Sequence, residues 1–471
     1  MTAARPATGL MHRVRRIHLV GIGGAGMSGL AEVLADLGFE VAGSDLAESE
    51  AVRHLRERGI DVRIGHDAGN VRGADVVVSS SAIAADNVEL EAARAERIAV
   101  VPRAEMLGEL MRFRQGIAVA GTHGKTTTTS MVASLLDAAG MDPTFVIGGL
   151  VNAFKSNARL GEGRYLVAEA DESDGSFLLL QPVISLVTNI DRDHLDAYQG
   201  SFDRLQSAFL EFLHHLPFFG VAVTCIDDPH VAELVPDVGR TVLTYGMSPD
   251  ADVRGVDLAQ QGRRMRFGLV LPGDPEPRPV TLNQPGSHNV QNAVGAAAVA
   301  WELGIDADAI VSGLEGFSGI GRRFAAIGEI AFGAGRAEVF EDYGHHPTEL
   351  DAVLRAARGG WPDRRLVLVF QPHRYTRTRD QFDAFARVIA GADVVVLLDI
   401  YPAGERPIAG IGSDVLGDAV TRRGGPAVHR VRNPAEAEDA LDGIIEDNDL
   451  VLVMGAGDIG QLASRLRERD A

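Results

Sequence analysis

A single lysine at the end of a glycine turn carries the clearest chemistry in this chain. The apolar residues 117–120 run into Gly121-Thr122-His123-Gly124-Lys125-Thr126-Thr127, with more threonines behind. A strand entering a glycine turn and then a helix points turn N–H groups and the helix N-terminus at phosphate oxygens. Lys125 adds a point charge and Thr126 a hydroxyl for Mg²⁺, which together select a nucleoside triphosphate. The usual spacing of such loops would put glycine at position 119, where Val119 stands, so the cradle reads as shortened at its start. The competing reading is a strand-turn-helix with incidental glycines. Composition weighs against it: Lys125 and Lys155 are the only two lysines among 45 basic residues. A compact ammonium reaching a phosphate is a task for which the planar arginine fork is a poor substitute.

Carboxylates follow at two further strand ends. Residues 165–168 lead into Glu169-Ala170-Asp171-Glu172-Ser173-Asp174, and residues 187–190 lead into Asp191-Arg192-Asp193-His194-Leu195-Asp196. Hard oxygen ligands beside a phosphate loop suit Mg²⁺. By its position alone, His194 is equally a surface-loop histidine or a metal ligand.

Nearer the N-terminus, Gly21-Ile22-Gly23-Gly24-Ala25-Gly26 sits between a strand at 17–20 and a helix reaching 37, and Asp45 ends the next strand at 40–44. This is a diphosphate fingerprint, which fits NAD and a nucleotide-sugar equally well. Beyond the middle of the chain, Asn289 and Asn292 share a helix face near its start and could cap the helix or read a base edge. Residues 316–321 read as a hinge before Arg322, Arg323 and Phe324. Strands at 337–340, 366–370, 394–400 and 450–454 follow, and two of their ends read Glu341-Asp342-Tyr343-Gly344-His345-His346-Pro347 and Gln371-Pro372-His373-Arg374-Tyr375-Thr376-Arg377-Thr378-Arg379. Three arginines within six residues could be a solvated helix start, but such a start runs against the helix dipole, so carboxylate or phosphate binding stands at least level with it.

The elements that must position these residues alternate between strands and helices, the pattern of α/β folds with largely parallel sheets. The division is 1–112, 113–322 and 323–471: a Rossmann-like N-terminal domain, a P-loop-type central domain and a Rossmann-like C-terminal domain. A helix at 206–216, a strand at 221–225 and a meander over 251–283 complete the middle. At 471 residues the chain exceeds one ordinary core. No apolar stretch approaches a membrane span, and the first 16 residues lack a signal-peptide core, so a cytoplasmic protein without membrane insertion is expected. A net charge of −20 argues against a nucleic-acid surface, and the one cysteine, Cys225, against disulfides and cysteine metal clusters.

In order, the glycine fingerprint, GTHGKTTT, EADESDGSF, TNIDRDHLD, HNVQN, GRRF, DYGHHPTE and QPHRYTRTR make the chain resemble the Mur ligase family over about residues 15–468. The resemblance implies an ATP-dependent amide ligase. Within the family the chain looks most like the members that join L-alanine to the lactyl carboxylate of UDP-N-acetylmuramate through an acyl phosphate, in peptidoglycan precursor synthesis. It reassigns the fingerprint from NAD to UDP: Gly21, Gly23, Gly24, Gly26, Ser44, Asp45 and the loop 79–83 with Ser80 would hold the sugar nucleotide. The loop from Gly121 to Thr127, with Lys125, would hold the ATP phosphates, Asn289 and Asn292 would meet adenine, and Arg323 the γ-phosphate. Thr126 and Glu169 would hold one Mg²⁺ and His194 a second, and Asp342 would act on ATP. Tyr343, His345, Arg374 and Arg377 resemble the alanine-binding set, with His345 a candidate base. The rivals are a ligase for a preformed peptide and an NAD-dependent oxidoreductase. Two departures stand out: the lysine that some relatives carbamylate has no counterpart after Asp171, and Glu341 replaces a frequent aspartate.

Overall fold

The computed structural model describes Met11 and residues 13–80, 82–333 and 335–470. It is an α/β chain with three sheets, and it separates into two compact units, the second built mainly from residues 318–471. Among the described residues no helix is long and apolar enough to cross a membrane.

In the first unit, a five-stranded parallel sheet has the order Asp61–Ile64, Glu40–Asp45, Arg16–Val20, Val76–Ser79, Ala99–Pro102. The order reverses beside Arg16–Val20, so the loops leaving that strand and Val76–Ser79 flank a switch point, the place where open α/β sheets bind ligands. Those loops are the glycine fingerprint and the segment holding Ser80. Ile17, Leu19 and Val20 are fully buried, as expected for a strand covered on both faces.

The second sheet of this unit has ten strands. Gln115–Ala120 lies between Tyr165–Glu169 and Ile184–Val187, parallel to both. The phosphate turn and both acidic loops therefore leave the same edge. Val119 is a fully buried member of the strand, in register with Glu169, so the chain is still extended where other phosphate loops already turn. The meander is three neighbouring strands, Val253–Gln261, Arg264–Leu271 and Asp274–Leu282. The helix expected at 206–216 runs Phe202–His214 instead, because the Ser201 side chain caps it and Phe202 and Leu205 extend its buried face.

The second unit holds a six-stranded sheet ordered Ala325–Ala331, Arg336–Asp342, Asp449–Met454, Leu366–Phe370, Val394–Leu398, Val428–Val431. Only its first pair is antiparallel. The two outer strands escaped the sequence reading. Val428–Val431 is half exposed and carries His429 and Arg430, so it lacks the apolar run of a buried strand. Asp342, Phe370 and Met454 end adjacent strands and deliver DYGHH, QPHR and GAGD to one edge.

Candidate functional site

The helix Lys125–Ala138 starts from Gly124 at φ +83°, and a Cβ there would lie 2.6 Å from Asn292 Oδ1. Gly121, at φ +127°, would clash with Thr188 if substituted. Both glycines are therefore required by close approach as well as by backbone sign. Lys125 Nζ donates to the Gly121 carbonyl at 2.7 Å and to both oxygens of Glu172 at 2.8 and 3.0 Å. Burial would lower the pKa of this ammonium, but Glu172, Asp171 and Glu169 outweigh it and raise the pKa. Thr122 Oγ1 accepts from the Asp191 N–H, and His123 Nε2 stands 3.0 Å from Asp191 Oδ2, which ties the turn to the second acidic loop.

Glu169 has the environment a hard cation would need. Burial raises its pKa, while the Thr126 side chain and the Gly148 N–H hold it down, and its Oε1 is buried without a hydrogen-bond partner. An orphaned carboxylate oxygen beside a threonine hydroxyl and a phosphate turn is a hard-oxygen donor set suited to Mg²⁺. Asp171 differs: burial pushes its pKa up, but Lys125, Ser173 and Arg103 keep it lowered. His194 begins a short 3-10 turn at φ +55°, with Nε2 3.5 Å from Asp193 Oδ2. It lies in the loop that follows the strand Ile184–Val187, next to Gln115–Ala120 in the sheet.

In the fingerprint, the Gly21 and Ile22 N–H groups bond the Ser44 carbonyl, and Asp45 Oδ2 accepts from the Gly23 N–H at 2.9 Å. Asp45 shapes the loop through this bond. Ser44 departs from the expected ligand contact, because its hydroxyl is fully buried and donates to Glu89 Oε2 at 2.6 Å. Glu89 also meets His18 Nε2 at 3.0 Å and accepts from the Asn70 side chain. Burial alone would raise the Glu89 pKa; these bonds bring it down to about 2. A cavity of about 260 Å³ is lined by Gly24, Gly26, Ser80, Arg103, Glu169 and Asp171, among others. The fingerprint and the metal-type acids therefore face one space. Ser81, next to Ser80, lies outside the described residues.

In the second unit, Asp342 accepts from the Phe324 N–H at 2.8 Å and the Gly344 N–H at 2.6 Å, and burial raises its pKa despite Arg323. Both oxygens hold backbone, so Asp342 orients the turn that follows it. Arg323 reaches Glu349 at 3.4 Å. Glu341 sits buried between Arg322 at 2.7 Å and Arg467 at 2.6 Å. Its side chain thus spans two guanidinium groups. His345 Nδ1 lies 3.1 Å from the Tyr343 carbonyl. A carbonyl only accepts, so Nδ1 carries the proton and Nε2 keeps its lone pair. Burial lowers the His345 pKa, with Glu349 opposing and Arg377 adding to the shift.

The arginine cluster differs from the sequence reading. Its helix is only Tyr375–Asp380, so Arg377 and Arg379 fall in the last turn, where the dipole favours them. Arg374 precedes it at φ +71°, held by a bond from its N–H to the Tyr401 carbonyl at 2.8 Å. Arg377 is buried and donates to His373 Nδ1 at 3.5 Å. The rings of Tyr343, His345, His373 and Tyr401 follow one another at centroid distances of 5.4, 5.5 and 5.5 Å. Asn289 and Asn292 lie inside a helix that begins at Ser287, and Asn289 donates back to the Pro285 carbonyl at 2.8 Å, so neither is its N-cap.

Sequence reasoning gave no role to Glu172, Arg103, Glu89, His373 and Tyr401, which the fold places among these contacts and cavity walls. Glu172 and His373 stood inside quoted motifs without a role. Glu89 and Tyr401 lie in no motif and meet their partners only across the fold, and Arg103 comes to lie against Gly26 in the same way.

Three family profiles match the chain: "Mur ligase family, catalytic domain" over residues 16–115, "Mur ligase middle domain" over 119–300 and "Mur ligase, glutamate ligase domain" over 322–457. The UDP-N-acetylmuramate--L-alanine ligases of Stenotrophomonas maltophilia and Xanthomonas campestris are each 56% identical to it, covering 97% of this chain and 96% of theirs. The crystal structure of the UDP-N-acetylmuramate-alanine ligase of Thermotoga maritima is similar at a TM-score of 0.81 and 31% identity, covering 97% of this chain and 99% of that one. A murein peptide ligase from Psychrobacter arcticus shares the fold at a TM-score of 0.72 and 24% identity, over 97% of this chain and 98% of that one.

Proposed function

This chain belongs to the Mur ligase family, and we infer from that membership that it joins L-alanine to UDP-N-acetylmuramate in peptidoglycan synthesis, with ATP converted to ADP and phosphate. The observation that carries this reading in the structure is the cavity lined both by Gly24 and Gly26 and by Glu169 and Asp171. A diphosphate loop and a phosphoryl-transfer site opening on one space suit a nucleotide-linked carboxylate that must reach ATP. The oxidoreductase reading leaves the Lys125 turn without a task. We place the reaction in the cytoplasm, where its nucleotide substrates are made, and keep the three-domain division at 1–112, 113–322 and 323–471.

A carboxylate does not acylate an amine unaided. One lactyl oxygen attacks the γ-phosphorus, the bond from that phosphorus to the β–γ bridging oxygen breaks, and ADP leaves. The alanine nitrogen then attacks the acyl carbon of the resulting acyl phosphate, the carbon–oxygen bond to phosphate breaks, and the amine loses a proton. Lys125 leaves Glu172 for the β- and γ-phosphates and offsets the repulsion between carboxylate and triphosphate. Thr126 and Glu169 would hold Mg²⁺, and His194 a second ion, supplying charge neutralisation at the transferring phosphoryl group. Asn289 and Asn292 meet adenine and Arg323 the γ-phosphate. Arg374 and Arg377 hold the alanine carboxylate beside Tyr343, and His345 Nε2 takes the amine proton.

Phosphate release tests the assignment. Turnover is expected only with ATP, UDP-N-acetylmuramate and L-alanine together. If a tripeptide supports turnover and L-alanine does not, the assignment gives way to the peptide ligase. Tight NADH binding, read by fluorescence, would favour the oxidoreductase.

A further inference from the structure

Arg103 opens the helix Arg103–Met111, outside every motif discussed above. A Cβ on Gly26 would lie 3.0 Å from its Nη1 and 3.2 Å from its Cζ, so the guanidinium rests against the backbone of the last fingerprint glycine. It lines the 260 Å³ cavity and a neighbouring one of about 270 Å³, and only Ser80, Arg103 and Asp171 are common to both. Among the described residues it is the only cationic side chain lining the first. Arg94, which lines the second cavity, is already engaged with the Ala85 carbonyl. Among the described residues, by contrast, no hydrogen bond or ion pair engages Arg103, and only its field reaches Asp171.

A diphosphate brought to Gly26 enters a space that already contains Glu169 and Asp171, on a chain of net charge −20. Glycine N–H groups and one helix terminus supply partial charges, and the two acids oppose them. A guanidinium offers a full charge and a planar fork that matches phosphate oxygens.

We propose that Arg103 is a substrate-binding residue whose guanidinium, lying against Gly26 where the two cavities meet, takes the diphosphate of the sugar nucleotide. This rests on the ligase reading for the identity of the nucleotide. The lactyl carboxylate is the other anion of the same substrate, so the probes are UDP and UDP-N-acetylglucosamine, which carry the diphosphate and lack that carboxylate.

Calorimetric titration of the full chain with both probes decides the matter. Arg103→Ala should weaken both by about tenfold to a hundredfold, the range for losing hydrogen bonds to a charged group. Arg103→Lys should recover part of the loss, and ATP affinity should be unchanged in both variants. Should Arg103→Ala fail to fold, Arg103→Gln keeps the stem and carries the same expectation. Wild-type affinity for UDP in the alanine or glutamine variant overturns the proposal. So does a loss confined to the KM for UDP-N-acetylmuramate, which would assign Arg103 to the lactyl carboxylate. A wild-type protein that binds neither probe would instead overturn the ligase reading.

Discussion

The ammonium of Lys125 and the carboxylate of Glu172 form a two-pronged pair, with Nζ 3.0 Å from Oε1 and 2.8 Å from Oε2. Glu172 is 1% exposed, so the pair is buried on the carboxylate side. The lysine proposed to hold phosphate is thus paired with an internal anion.

Lys125→Met should therefore reduce phosphate release by at least about a thousandfold, since the positioned cation is lost. It should also destabilise the ATP-free protein by about 3 kcal/mol, because Glu172 is left buried and unpaired. Adding Glu172→Gln should restore most of the stability and none of the turnover. Denaturant melts beside phosphate-release assays separate the two effects, and a double variant as unstable as the single would refute the pairing.

Glu169→Gln keeps the shape of the site and removes the charge of its orphaned oxygen. The Mg²⁺ concentration for half-maximal turnover should rise by about tenfold or more, a usual consequence of disturbing a metal's ligand shell. A titration of activity against Mg²⁺ reads this directly. An unchanged midpoint would remove Glu169 from the ligand set.

The His345 pKa is lowered from 6.5 by burial, with Arg377 and Arg323 adding to the shift and Glu349 opposing it. A base must be unprotonated, so the lowered value keeps Nε2 competent into mildly acidic solution. The acid limb of kcat should lie below pH 6.5. His345→Gln should lower kcat by about a hundredfold or more and flatten that limb. A limb that persists in the variant would assign it to another group.

Glu89 has a pKa of about 2 in the fold against an ordinary 4.5. A depressed carboxylate contributes stability that is fully present above the ordinary value and is lost as pH falls from there through the folded one. The shift corresponds to about 3 kcal/mol. Glu89→Gln should remove a similar amount at neutral pH and flatten the acid dependence between pH 4.5 and 2. Thermal melts across that window check it, and equal acid sensitivity in both proteins would place the effect elsewhere.

By itself the sequence marked most of the strands and the residue types placed at their ends. Apolar runs ending in glycine, lysine or acids marked strand ends, because buried parallel strands must be apolar and chemistry must wait for the turn. That logic located the Gly21 loop, the Lys125 turn, Glu169 and the DYGHH edge, and the order of the motifs pointed to the family. Tertiary structure decided partnership. Glu172 answers Lys125 across 47 residues, Arg467 answers Glu341 across 126, and Arg103 reaches Gly26 from another helix. Such contacts follow from strand order and helix packing, which local periodicity does not encode. Local patterns also misled where an element was short: the arginines that read as a helix start occupy a last turn because the helix stops at Asp380. The Lys125 turn was legible because backbone geometry and one side chain define it; the anion that holds that lysine was not, because only the packed sheet brings it there.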